Sequence, residues 1–182
     1  MEKILERYIF PSLTKEKIES FEYNIFISIF IFILALFSRT EAYSIVYSVD
    51  IISFLNFFIV NFVSIIFILC IFTIWVCFVS VLFKKNVFVG KYFSGLLTMF
   101  SIYFLLLPIS LVSLHFDLQL LYFFIEAIFS LIVLTRILRY TKEFYSFNQK
   151  EMFFVIGAPI IFISLLFLFP IVYVYLFIYG KI

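Results

Sequence analysis

Five blocks of nearly uninterrupted apolar residues divide this chain, and Lys and Arg crowd into alternate gaps between them. Few folds are compatible with that pattern. A helix of about 20 apolar residues crosses the hydrocarbon of a bilayer, where every backbone polar group must be satisfied within the segment. The blocks therefore predict an all-α integral membrane bundle of about five transmembrane helices. They are expected at about 23–38, 57–83, 92–114, 118–138 and 152–179, forming one membrane domain over residues 23–180.

The composition leaves little room for another class. The 182 residues are 66% hydrophobic and 13% charged, whereas a soluble domain carries roughly 25% charged residues. The net charge of +2 is local, at the ends of the blocks, and speaks to topology rather than to nucleic acid.

Cytoplasmic flanks of membrane spans are enriched in Lys and Arg. The N-terminal segment holds Lys3, Arg7, Lys15 and Lys17; the second gap holds Lys84, Lys85 and Lys91; the fourth holds Lys142 and Lys150, with Arg136 and Arg139 close by. The first gap has only Arg39, and the third has neither Lys nor Arg. All three basic sets lie inside together only with an odd number of spans, with the N-terminus inside and the C-terminus outside. The run Ile51–Phe83 is then one span: as a single helix it is about 50 Å long, too long for one upright crossing and too short for two and a turn. Residues 51–56 are expected as an interfacial lead-in and the rest as a tilted span. Gly90 is expected as a turn or cap in the second gap, and 141–151 as the longest polar connection.

Residues 1–22 form a cytoplasmic amphipathic segment. Ile4, Leu5, Tyr8 and Ile9 share one helical face, and Pro11 ends the short helix. Such a helix lies in the headgroup layer or packs on the span ends. No small-residue cleavage site follows the first block, so a signal peptide is not expected.

No motif for chemistry stands out. His115, the single histidine, sits at a span end without partners for a metal. Cys70 and Cys77 are about 10 Å apart along one helix, too far for a disulfide with each other. There is no nucleophile elbow, no zinc-protease helix motif and no phosphate loop. No catalytic, cofactor-binding or metal site is expected, and the chain reads as a non-enzyme.

The candidate polar site is intramembrane. Glu126 is an acidic residue well inside a block, a costly position that is a functional hypothesis by default. It reads either as a proton- or cation-linked site or a contact to a partner's polar group, or as a carboxyl hydrogen-bonded within the bundle to Asn61, Ser64 or Thr98; no cation is visible within the spans. Pro108, Pro159 and Pro170 are candidate kink positions, because a proline frees a backbone carbonyl one turn back. Ser94, Gly95, Thr98 and Ser101 give the third span a small strip suited to close helix packing. Candidate cytoplasmic contacts are Lys84, Lys85, Gly90, Lys91, Arg136 and Arg139.

The segment Val87–Val112, with Gly90-Lys91 after a long apolar helix and Pro108 late in the next, followed by Ile137–Ile161 as a span end, a polar stretch and a last span, resembles the Yip family of membrane proteins. Its eukaryotic members are named for interaction with Ypt/Rab GTPases. The resemblance covers residues 20–180 and implies five spans, an inside N-terminus and an outside C-terminus. The family's Gly-Gly-Lys is Val-Gly-Lys here, and the long cytosolic N-terminal region of eukaryotic members is absent, which implies a short prokaryotic-type member. No catalytic residues carry over.

The expected function is a non-enzymatic accessory or scaffold protein of a prokaryotic cytoplasmic (inner) membrane. Its partners would be the bilayer and other membrane proteins, such as a transporter complex, or a second copy of itself. One alternative is a small transport or substrate-binding subunit, in the manner of the capture subunits of vitamin importers, with Glu126 and Asn61 lining a cavity. A second is a membrane-shaping protein.

Overall fold

The computed structural model describes residues 24–161. Among these the chain is all-helical, and four helices are long and apolar enough to cross a membrane: Ile25–Tyr47, Ile51–Leu82, Val89–His115 and Gln119–Tyr145. This is the architecture of a multi-pass membrane protein. We label the elements α1 (Ile25–Tyr47), α2 (Ile51–Leu82), α3 (Val89–Thr98), a 3-10 segment (Met99–Leu105), α4 (Leu106–His115), α5 (Gln119–Tyr145) and α6 (residues 149–161). The amphipathic segment expected over 1–22, the remainder of the last block and Pro170 lie outside the described residues.

Local chemistry sets the helix ends. Asn24 caps α1 by accepting from the backbone N–H groups of Phe26 and Ile27, and Asp50 caps α2 in the same way through Ile52 and Ser53. Asn148 and Glu151 form a reciprocal capping box at the start of α6. The Glu151 carboxylate accepts from the Asn148 N–H at 2.7 Å, and Asn148 Oδ1 accepts from the Glu151 N–H at 2.9 Å.

The C-terminal closures share one design. Ser48, Lys84, Asp117 and Ser146 all adopt left-handed backbone, with φ of 51°, 54°, 53° and 50°. The following N–H reaches back to the carbonyl of Ser44, Ser80, Ser113 or Lys142. These are Schellman closures, for which glycine is the usual residue; here Ser, Lys and Asp serve. Gly90, expected as a turn or cap, is instead the second residue of α3, and Lys84 makes the reversal.

Two helices outrun their apolar blocks. α1 continues past Ser38 to Tyr47, so Arg39 and Glu41 are helical rather than in the expected gap. No Gly or Pro interrupts 39–47, and Ala42 and Val46 bury on the same face as Phe32 and Ala35. α5 likewise runs through Arg136 and Arg139 to Tyr145, which shrinks the expected 141–151 connection to three residues.

The third crossing changes helix type just before Pro108. Pro108 lacks an N–H and its ring crowds the carbonyl four residues back, that of Phe104. The backbone tightens to 3-10 over Met99–Leu105, and Pro108 falls in the first turn of α4, where no donor is needed. Pro159 lies inside helical α6.

At the centre, α1 packs against α2, α3, the 3-10 segment, α4 and α5. Lipid is as apolar as these side chains, so close approach rather than hydrophobic burial drives their association. Ser28, Ala35 and Ala42, seven residues apart, are buried on α1 against a third crossing that buries Ser94, Gly95, Thr98, Ser101, Ser110 and Ser113. Phe32 meets Phe100 edge-on at 5.1 Å. A second cluster joins α3 to α5: Tyr92 stacks on Tyr140 at 5.6 Å and shares a 2.7 Å hydroxyl contact with Thr141. Trp75 Nε1 donates to the Val155 carbonyl at 3.0 Å, tying α2 to α6.

Candidate functional site

The extra turns of α1 create the central polar feature. Arg39 lies about 12 Å from the C-terminal end of α1, and Glu126 about 10 Å from the start of α5 at the same end of the bundle. They meet there. Arg39 Nε donates to Glu126 Oε1 at 2.9 Å, and Nη2 lies 2.8 Å from the same oxygen. The side chains are 23% and 16% exposed, so protein rather than lipid covers most of the pair. This corrects the expectation that no cation lies in the spans.

The surroundings complete the pair. The Arg39 guanidinium lies over the Tyr103 ring, 5.1 Å from its centroid, in cation–π geometry. The Tyr103 hydroxyl is 3.3 Å from Ser130 Oγ, which donates to the Glu126 backbone carbonyl at 3.0 Å. One turn before Glu126, Tyr122 is fully buried and packs on Tyr47 at 6.4 Å. Its hydroxyl finds no hydrogen-bond partner among the described residues.

The expected partners of Glu126 are elsewhere. Asn61 Nδ2 donates to the Phe57 carbonyl of its own helix at 2.9 Å, and Thr98 Oγ1 to that of Gly95 at 2.7 Å. Arg39, Tyr103, Tyr122 and Ser130 were not singled out in the sequence. A helical reading of 39–47 from its unbroken apolar spacing would have found Arg39.

Chemically, the pair brings opposite charges together where each alone would be costly. It joins the first and fourth crossings. Among the described residues no group of three or more His, Cys, Asp or Glu could hold a metal ion. His115 packs edge-on against Phe116 at 5.0 Å.

The opposite end carries the lysines. Lys85 Nζ is 3.5 Å from Glu151 Oε2 and donates to the Ser146 carbonyl at 3.3 Å, so the turn after α2 is clasped to the turn after α5. Lys84, Lys85 and Lys91 line one cleft there. Arg136 does not join them: it is half-buried and reaches the Met99 carbonyl at 3.5 Å. Arg139 is exposed and, with Lys142, lines a separate groove between α5 and α6. The turns at the Glu126 end hold Asp50 and Asp117 and neither Lys nor Arg. The hydrogen bonds to Asp50 from Ser53, and from the Ile52 backbone, hold its exposed carboxyl below the usual carboxylate range.

Compared with protein-family models, with curated proteins and with solved structures, the chain matches none.

Proposed function

We propose that this protein is a non-enzymatic accessory or scaffold component of a prokaryotic cytoplasmic membrane, a five-span bundle with its N-terminus inside and its C-terminus outside. In this reading it is a relative of the Yip family, and its partners are other membrane proteins, such as a transporter complex, or a second copy of itself. The observation that carries the reading is the Arg39–Glu126 pair. A transport subunit would need its intramembrane carboxylate free to meet a substrate or a proton. Here the carboxylate is occupied in joining α1 to α5, and Asn61 and Thr98 do not converge on it.

The lysine-bearing end supports the orientation, because positive charge concentrates on the cytoplasmic side of spans. Its Lys84–Lys91 turn and the Arg139–Lys142 edge of α5 offer contacts to a partner there. Affinity purification from native membranes after mild crosslinking is expected to recover a stoichiometric membrane partner or a homo-oligomer. A lone monomer whose small-molecule uptake is abolished by Glu126→Gln would overturn the proposal in favour of transport.

A further inference from the structure

We infer that this chain pairs with a second copy of itself along the lipid-facing side of α2, the two helices running parallel and Asn56 meeting its counterpart. Ser53, Asn56, Val60, Val63, Phe67, Cys70 and Ile74 follow one another at alternating spacings of three and four, and all are exposed. That is the seam pattern of two helices that supercoil on each other. Phe58, Phe62, Leu69 and Val76 of the same helix pack into the bundle core. At the turn of a helix these fall on the side opposite the seam.

Polar groups on the exposed side favour protein over lipid as its cover. Ser64, beside the seam and exposed, lies about 20 Å from the start of a helix about 48 Å long. A hydrocarbon layer of about 30 Å placed anywhere along that length includes it. Among the described residues neither the Ser64 hydroxyl nor the Asn56 amide makes a hydrogen bond. Ser80 and Asn61 on the same helix turn back to the carbonyls of Val76 and Phe57. Lipid tails offer neither donor nor acceptor.

Self-complementarity selects the partner. An amide both donates and accepts, so Asn56 can satisfy its own copy. Two copies inserted the same way round bring α2 against α2 about a two-fold axis, and each seam residue meets its counterpart at the same depth. Polar side chains hold such membrane pairs and set their register. Another protein would need a matching polar group at that depth, which a second copy carries by construction. The inference rests on the accessory reading and deepens it by naming the partner.

The test uses the full chain in its native membrane. In a Cys77→Ser background, oxidation by copper phenanthroline is expected to give a dimer linked through Cys70, since facing seam positions come within disulfide range. With Cys70→Ser and Cys77→Ser, Val63→Cys should crosslink and the core-facing Phe62→Cys should not. In liposomes, single-molecule photobleaching over a range of protein-to-lipid ratios reads the dimer affinity. Asn56→Leu should weaken it by about threefold per hydrogen bond lost, about tenfold for a reciprocal pair, with helical circular dichroism unchanged. No Cys70 dimer, equal crosslinking of Phe62→Cys and Val63→Cys, or an unchanged affinity in Asn56→Leu would each overturn the inference. A different stoichiometric membrane partner with no α2–α2 crosslink would overturn it and leave the accessory reading standing. A lone monomer with Glu126-dependent uptake would overturn both.

Discussion

Removing either member of the Arg39–Glu126 pair should destabilise the bundle more than removing both, and removing Glu126 alone most of all. At about 4 Å and an effective dielectric of about 20, opposite unit charges attract by ~4 kcal/mol. The side chains keep 23% and 16% of their exposure, which screens part of this and leaves an expected coupling of about 3–4 kcal/mol. Glu126→Leu strands a guanidinium that cannot shed its charge over the Tyr103 ring. It should cost about 3 kcal/mol. Arg39→Met leaves a carboxyl that can bind a proton instead, so it should cost less, about 1–2 kcal/mol. The double variant, with two apolar side chains of similar bulk, should sit within about 1 kcal/mol of the parent. The assay is unfolding in mixed micelles with rising SDS fraction, followed by helical circular dichroism. Additive single-variant losses, with coupling below about 0.5 kcal/mol, would refute the pairing.

Four further outcomes follow from other parts of the fold. A Cβ at Gly95 would collide with the hydroxyl and ring of Tyr140, which Tyr92 holds from the other face; Gly95→Ala should cost about 1–3 kcal/mol in the same assay. Glu151→Ala removes both the capping box and the Lys85 clasp, and should cost about 1–2 kcal/mol and speed hydrogen exchange at the start of α6. Ser48→Gly relieves a left-handed residue at the end of α1 and should stabilise by about 1 kcal/mol. The carboxyl of Asp50 is depressed by its bonds to the start of α2, so its contribution is full above the ordinary carboxylate value and lost as pH falls below about 4. Hydrogen exchange at Ile52 and Ser53, corrected for its intrinsic pH dependence, should accelerate there in the parent, and Asp50→Ala should remove that pH dependence.

Much of the architecture was legible because it follows from solvent chemistry. Apolar blocks must be helices in a bilayer, and the run from Ile51 is one helix because Asp50 caps it and neither Gly nor Pro breaks it before Leu82. The site was less legible for a related reason. Hydropathy marks the end of an apolar block, but a helix ends where its backbone turns, and α1 turns at Ser48, ten residues after Ser38. Those added turns carry Arg39 into the bundle, so Glu126 looked unpartnered. Pro108 announced a distortion, but the strain falls upstream as 3-10 backbone, because the clash is with the carbonyl four residues earlier. The polar residues Asn61 and Thr98 looked available, yet each is satisfied within its own helix, a local option that sequence spacing does not reveal.

The proposed orientation places the end where Lys85 clasps Glu151 in the cytoplasm and the Arg39–Glu126 end outside. Single cysteines at Asn86 and at Asp117, in a Cys70→Ser, Cys77→Ser background, measure this directly with a membrane-impermeant maleimide on intact cells and on inverted vesicles. In that orientation Asp117→Cys is labelled on intact cells and Asn86→Cys only on inverted vesicles. Labelling of both from the same side, or the reverse assignment, would contradict it.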